Sequence, residues 1–90
     1  MSITIIGGND CMVNDYKTLC KSYNCKAKVF TQPAGIKKMV GRPDLLILFT
    51  GTVSHKMIKC ALANAGKNQK IVRCHSSSMS ALRNILEEHA

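Results

Sequence analysis

This 90-residue sequence predicts an α/β fold, a small single domain (residues 1–90) with a four-stranded parallel sheet and helices on both faces. Three observations carry that reading. Short apolar strands alternate with helically spaced apolar stripes four times along the chain. Leu45-Leu46-Ile47-Leu48-Phe49 is apolar at every position, the pattern of a central strand covered on both faces. Glycines and hydroxyl residues gather where the strands end.

The elements follow in order. Ser2 to Ile6 reads as the first strand and ends in Gly7-Gly8-Asn9-Asp10. Met12, Tyr16, Leu19, Cys20 and Tyr23 recur at helical spacing, with Asn9 or Asp10 as the N-cap. Ala27 to Thr31 is the second strand, closed by Gln32-Pro33-Ala34-Gly35. Ile36, Met39 and Val40 indicate a short helix that stops at Gly41-Arg42-Pro43. After the strand Leu45–Phe49, the residues Met57, Ile58, Ala61, Leu62 and Ala65 mark a third helix, with Gly66 as its stop. Ile71 and Val72 sit in a fourth strand, and Met79, Leu82, Ile85 and Leu86 stripe the last helix.

Such alternation gives right-handed crossovers and a three-layer architecture. The expected strand order is 2-1-3-4, a flavodoxin- or Rossmann-like arrangement. Ligands of such sheets bind beyond the carboxyl ends of the strands, where the order reverses, here between the first and third strands. The loops Gly7–Cys11, Thr50–His55 and Cys74–Ser78 all fall at that edge. Two open sheet edges remain, and a homodimer is the expected remedy.

Composition narrows the function classes. Thirteen Lys and Arg against five Asp and Glu give a net charge of +8, which suits an anionic ligand, an acidic partner or a solvated basic surface. Nucleic acid is disfavoured, because the lysines are scattered and aromatics for base stacking are few: two Tyr, two Phe and no Trp. No apolar run reaches membrane-spanning length. Five cysteines and no secretory leader argue against a disulfide framework and for a reduced cytoplasmic setting.

Several chemistries fail on spacing. Gly7-Gly8-Asn9-Asp10 stands where a dinucleotide fingerprint would begin, but Cys11, Met12 and Val13 replace its later glycines. A tight strand-to-helix turn explains both glycines. There is no Gly-Lys-Ser or Gly-Lys-Thr phosphate loop. A phosphatase loop needs arginine six residues after its cysteine, and Lys17 holds that place after Cys11. No Ser–His–acid triad is credible, and five carboxylates supply acid–base chemistry poorly. Cys20, Cys25 and Cys60 read as packing residues, while Cys11 and Cys74 remain candidate nucleophiles.

Arg73-Cys74-His75-Ser76-Ser77-Ser78 is the richest stretch. It places a thiol, an imidazole and three hydroxyls at a strand-to-helix junction, where free backbone N–H groups favour anions. Thr50-Gly51-Thr52-Val53-Ser54-His55 repeats the design. His55 and His75 each lie beside a helix N-terminus, which favours neutral imidazole and so a ligand to metal or haem iron. The alternatives are hydrogen-bonded loop histidines, and serines of which one caps the last helix while the others are solvated. Ser54 or Thr52 is the corresponding cap of the third helix, and His89 is a surface residue.

The runs Ile5-Ile6-Gly7-Gly8, Cys25-Lys26-Ala27-Lys28-Val29-Phe30, Pro43-Asp44-Leu45-Leu46-Ile47-Leu48-Phe49-Thr50, Val53-Ser54-His55-Lys56-Met57 and Cys74-His75-Ser76-Ser77-Ser78 resemble a small bacterial family known as domain of unknown function 2325. The resemblance covers essentially the whole chain. It implies a single-domain bacterial cytoplasmic protein of small α/β fold, with haem binding among some members. Carried over, it makes His55 and His75 the candidate iron ligands and places Ser76 to Ser78 near the propionates.

The combined expectation is a non-catalytic binding domain for a small anionic ligand or haem, serving redox or gas sensing in the haem case. Its site comprises His55, His75, Cys74, Ser76, Ser77, Ser78, Thr50, Thr52, Ser54, Gly7, Gly8 and Asn9. A cysteine-based phosphocarrier or enzyme on a phosphorylated ligand is the first alternative, and a basic nucleic-acid-binding or scaffold protein the second.

Overall fold

The computed structural model describes residues 2–31, 44–53, 55–64 and 70–89. The expected helix at Ile36–Val40, the stops at Gly35, Gly41 and Gly66, and Ser54 lie outside the described residues. Four strands, β1 (Ser2–Ile6), β2 (Lys26–Phe30), β3 (Leu45–Phe49) and β4 (Ile71–Cys74), form one parallel sheet in the order β2-β1-β3-β4. Register is continuous across it: Ile5 pairs with Val29 on one side and Ile47 on the other, and Ile47 pairs in turn with Val72. β2 begins and ends one residue earlier than its pattern predicts, and β4 runs two residues past Val72.

Three helices are described: α1 (Val13–Ser22), α2 (His55–Asn64) and α3 (Met79–His89). The chain leaves β1 in one direction to reach β2 and leaves β3 in the opposite direction to reach β4. Crossovers of one hand must then place their helices on opposite faces. They do. Ile3, Ile5, Leu45, Ile47 and Phe49 pack with Tyr16 and Cys20 of α1 and with Leu82, Ile85 and Leu86 of α3. Ile6, Leu46 and Leu48 pack with Met57 and Ala61 of α2. Every residue of β3 is buried, since successive side chains enter the two cores alternately. Each of these aliphatic side chains contributes about 1.5–3 kcal/mol by leaving water.

Local chemistry sets the helix ends. Asn9 accepts the Cys11 N–H (2.9 Å) and so caps a short 3₁₀ turn, Asp10–Met12, which leads into α1. α1 stops in a Schellman motif. The Asn24 N–H donates to the Lys21 carbonyl (2.9 Å), and the Cys25 N–H reaches back to the Cys20 carbonyl (3.0 Å). Asn24 takes the left-handed conformation this requires, with φ +59°. β2 and β4 are the outer strands of the sheet among the described residues. At its amino edge, the Asp44 carboxylate accepts the Ser2 N–H (2.7 Å).

Candidate functional site

The three loops expected at the carboxyl edge of the sheet are connected, and much of their polar capacity is spent on holding one another. Gly7 and Gly8 both have positive φ, +99° and +93°, and a side chain on either would meet its neighbours: Val53 and the Phe49 carbonyl at Gly7, the Tyr16 ring at Gly8. The Gly7 N–H donates to the Phe30 carbonyl (2.8 Å) and the Gly8 N–H to Thr52 Oγ1 (2.8 Å). The Thr52 hydroxyl in turn donates to the Phe49 carbonyl (3.1 Å). Thr52 therefore locks the β1 loop to the β3 loop. Both glycines are turn residues with engaged amides, as the failed dinucleotide pattern requires.

The β4 loop is tied to the β3 loop by backbone. The Thr50 N–H donates to the Cys74 carbonyl (2.8 Å) and the Gly51 N–H to the His75 carbonyl (3.2 Å), extending the parallel ladder past the strand ends. A Cβ at Gly51 would press on the His75 carbonyl and lie 3.1–3.2 Å from Cε1 and Nδ1 of its ring, so the imidazole is seated directly over this glycine. His75 is nevertheless exposed. His55, also exposed, is the first residue of α2.

Beyond His75 the chain turns into α3. Ser78 Oγ accepts the Ala81 N–H (3.2 Å), the N-cap expected of one serine in this run. Ser76 Oγ donates to Ser78 Oγ (3.1 Å) and accepts the Ser78 N–H (3.3 Å). Ser76 and Ser78 are exposed, and Ser77 is half-buried. The Cys74 thiol, half-buried, donates to the Ser76 carbonyl (3.2 Å).

Tyr16 joins the β4 loop to the β1 loop. Its ring is fully buried, with its centroid 5.6 Å from that of Phe49. Its hydroxyl donates to the Ser77 carbonyl (2.7 Å) and accepts the Asn9 N–H (3.3 Å). Helical periodicity reveals Tyr16 only as a core position. Only the phenol oxygen, which needs a partner when buried, signals a second role. Gly51 is the other residue the sequence leaves unassigned, and its one cue is its place directly after the apolar strand.

The remaining candidates separate. Cys20 and Cys25 are buried in the α1–α3 core, where burial and then the neighbouring Cys25 push the Cys20 thiol up to about 11. Cys60 is half-buried against the α2 core. Cys11 is exposed in the 3₁₀ turn. His89 is half-buried, with Nε2 3.8 Å from Glu88, rather than a free surface residue. No group of three His, Cys, Asp or Glu side chains able to hold a metal ion occurs among the described residues. No helix among them is long and apolar enough to cross a membrane. Away from the edge, an open groove of about 450 Å³ lies between α1 and α3, lined by Asp15, Thr18, Leu19, Ser22, Met79 and Arg83.

No curated protein and no solved structure matches the chain. A family profile does, over residues 2–89, which include the glycine turn, the apolar β3 strand and the Cys-His-Ser-Ser-Ser loop. The chain belongs to the family of uncharacterized proteins conserved in bacteria, DUF2325.

Proposed function

We propose that this protein is a non-catalytic binding domain of the bacterial cytoplasm that holds its ligand at the carboxyl edge of the sheet, and that the ligand is haem bound through His75. The observation that carries the reading is the seat of His75: its carbonyl is held by the Gly51 N–H, its ring rests over a residue without a side chain, and the imidazole still faces solvent. A donor whose backbone is fixed before binding loses less freedom on binding.

The donor set fits haem better than a bare ion. A structural or catalytic metal ion takes three or four protein ligands, and no such cluster exists among the described residues. A porphyrin supplies the equatorial ligands itself, so one imidazole suffices. The exposed Ser78, in the loop that carries His75, is a hydroxyl donor for a carboxylate, its Oγ already accepting the Ser76 hydroxyl. Haem would supply an iron centre responsive to redox state or small gases, and the chain's own residues would orient it. His55, at the head of α2, is the competing ligand.

Absorbance titration of the apo protein with haemin tests this, with His75→Ala and His55→Ala alongside. A saturable Soret band that His75→Ala abolishes supports the reading. The phosphocarrier alternative rests on the exposed Cys11, whose N–H is engaged by Asn9. It predicts that Cys11 is alkylated far faster than the other four thiols and gains a phosphoryl group from a phosphodonor. Neither result is expected here.

A further inference from the structure

We propose that a second copy of this chain docks on the groove between α1 and α3, with Asp15 of each copy set against Arg83 of the other. The chain carries +8, so two copies repel one another unless they meet where charge is balanced. The layer formed by α1 and α3 is such a place. α1 holds Asp15 with Lys17 and Lys21, net +1, and α3 holds Arg83 with Glu87 and Glu88, net −1. α2, on the opposite face, holds Lys56 and Lys59 and no acid.

The two helices pack side by side, and the groove between them carries one acid from α1, Asp15, and one base from α3, Arg83, so its charge is balanced and self-complementary. A two-fold axis across the groove puts α1 against the partner's α3 and, by symmetry, α3 against the partner's α1. Asp15 and Arg83 are exposed and line the same groove, and no salt bridge joins them within one copy. Leu19 and Met79, half-buried hydrophobics at the margin of the α1–α3 core, supply apolar surface in the groove. The inference is independent of the haem reading, because the groove contains neither histidine nor any of the loops at the carboxyl edge.

Sedimentation velocity of the intact chain across a concentration series should show a reversible species of twice the 9.9 kDa chain mass. Arg83→Asp turns two symmetric attractive pairs repulsive and should weaken the dimer about tenfold. Asp15→Arg should do the same, and the two together should restore it. Thr18→Arg, at an exposed position of the groove, should block association by bulk. In the unaltered protein, hydroxyl-radical labelling of Leu19 and Met79 should fall as concentration rises. A protein monomeric throughout overturns the proposal. So does a dimer indifferent to Arg83→Asp and Thr18→Arg, a double variant no tighter than either single one, or labelling of Leu19 and Met79 that does not change.

Discussion

The β1 loop and the β4 loop leave the same edge of the same sheet, yet they have spent their polar groups differently. In the β1 loop every amide from Gly7 to Asn9 is engaged by the fold: by Phe30, by Thr52 and by Tyr16. The β4 loop commits its backbone, the Cys74 thiol and the Ser78 cap to the fold and leaves the His75 ring in water. The His75 and Ser77 carbonyls are bound, while the His75 ring and the Ser76 and Ser78 hydroxyls stay exposed. A glycine-rich turn beside a strand is therefore scaffold here. The proposed ligand site lies in the other loop, where the backbone is bonded to the β3 loop and the His75 ring stays exposed.

Breaking the scaffold loop should cost the most. Gly7→Ala forces a Cβ onto Val53 and the Phe49 carbonyl at φ +99° and should destabilise the fold by about 3 kcal/mol, read as a shift in urea midpoint. Tyr16→Phe keeps the ring against Phe49 but strands the Ser77 carbonyl and the Asn9 amide. It should cost about 2 kcal/mol and speed amide exchange at Asn9. Unchanged exchange there would mean that the phenol does not fasten the two loops.

In the β4 loop, Ser78→Ala removes the cap of α3 and should cost about 1 kcal/mol, while Ser76→Ala should cost less because Ser76 caps nothing. Equal losses for both would show that the serine run serves only as scaffold. The last effect is absent at neutral pH. The Cys20 thiol ionises near 9.0 when unfolded and about 11 when folded, so the unfolded chain releases its proton first. Stability from this group is complete below pH 9 and is lost as pH rises towards 11. Cys20→Ala should flatten that alkaline decline in denaturant titrations.

The sheet was legible in the sequence because burial on two faces leaves a mark no single helix stripe makes. Leu45–Phe49 identified the central strand, and the alternation around it set the order 2-1-3-4. Element ends were less legible. Asn9 and Asp10 are equally good cap types, and only the structure shows Asn9 capping a 3₁₀ turn ahead of α1. At the candidate site, the loops could be placed at one edge from topology, but not how they are joined. Tyr16 reaches Ser77 across 61 positions, and Thr52 reaches Gly8 across 44. Bonds of that range leave no periodicity behind. A cap of α3 by one serine of the run, a bond over three residues, was legible for the opposite reason, though which serine makes it only the structure shows.

The proposed haem site depends on the His75 imidazole, seated over Gly51 and exposed in the β4 loop. Haemin titration of the unaltered protein, His75→Ala and His55→Ala tests it most directly. A saturable Soret band is expected in the unaltered protein and in His55→Ala, and none in His75→Ala. A band that survives loss of His75, or no band in any of the three, would contradict it.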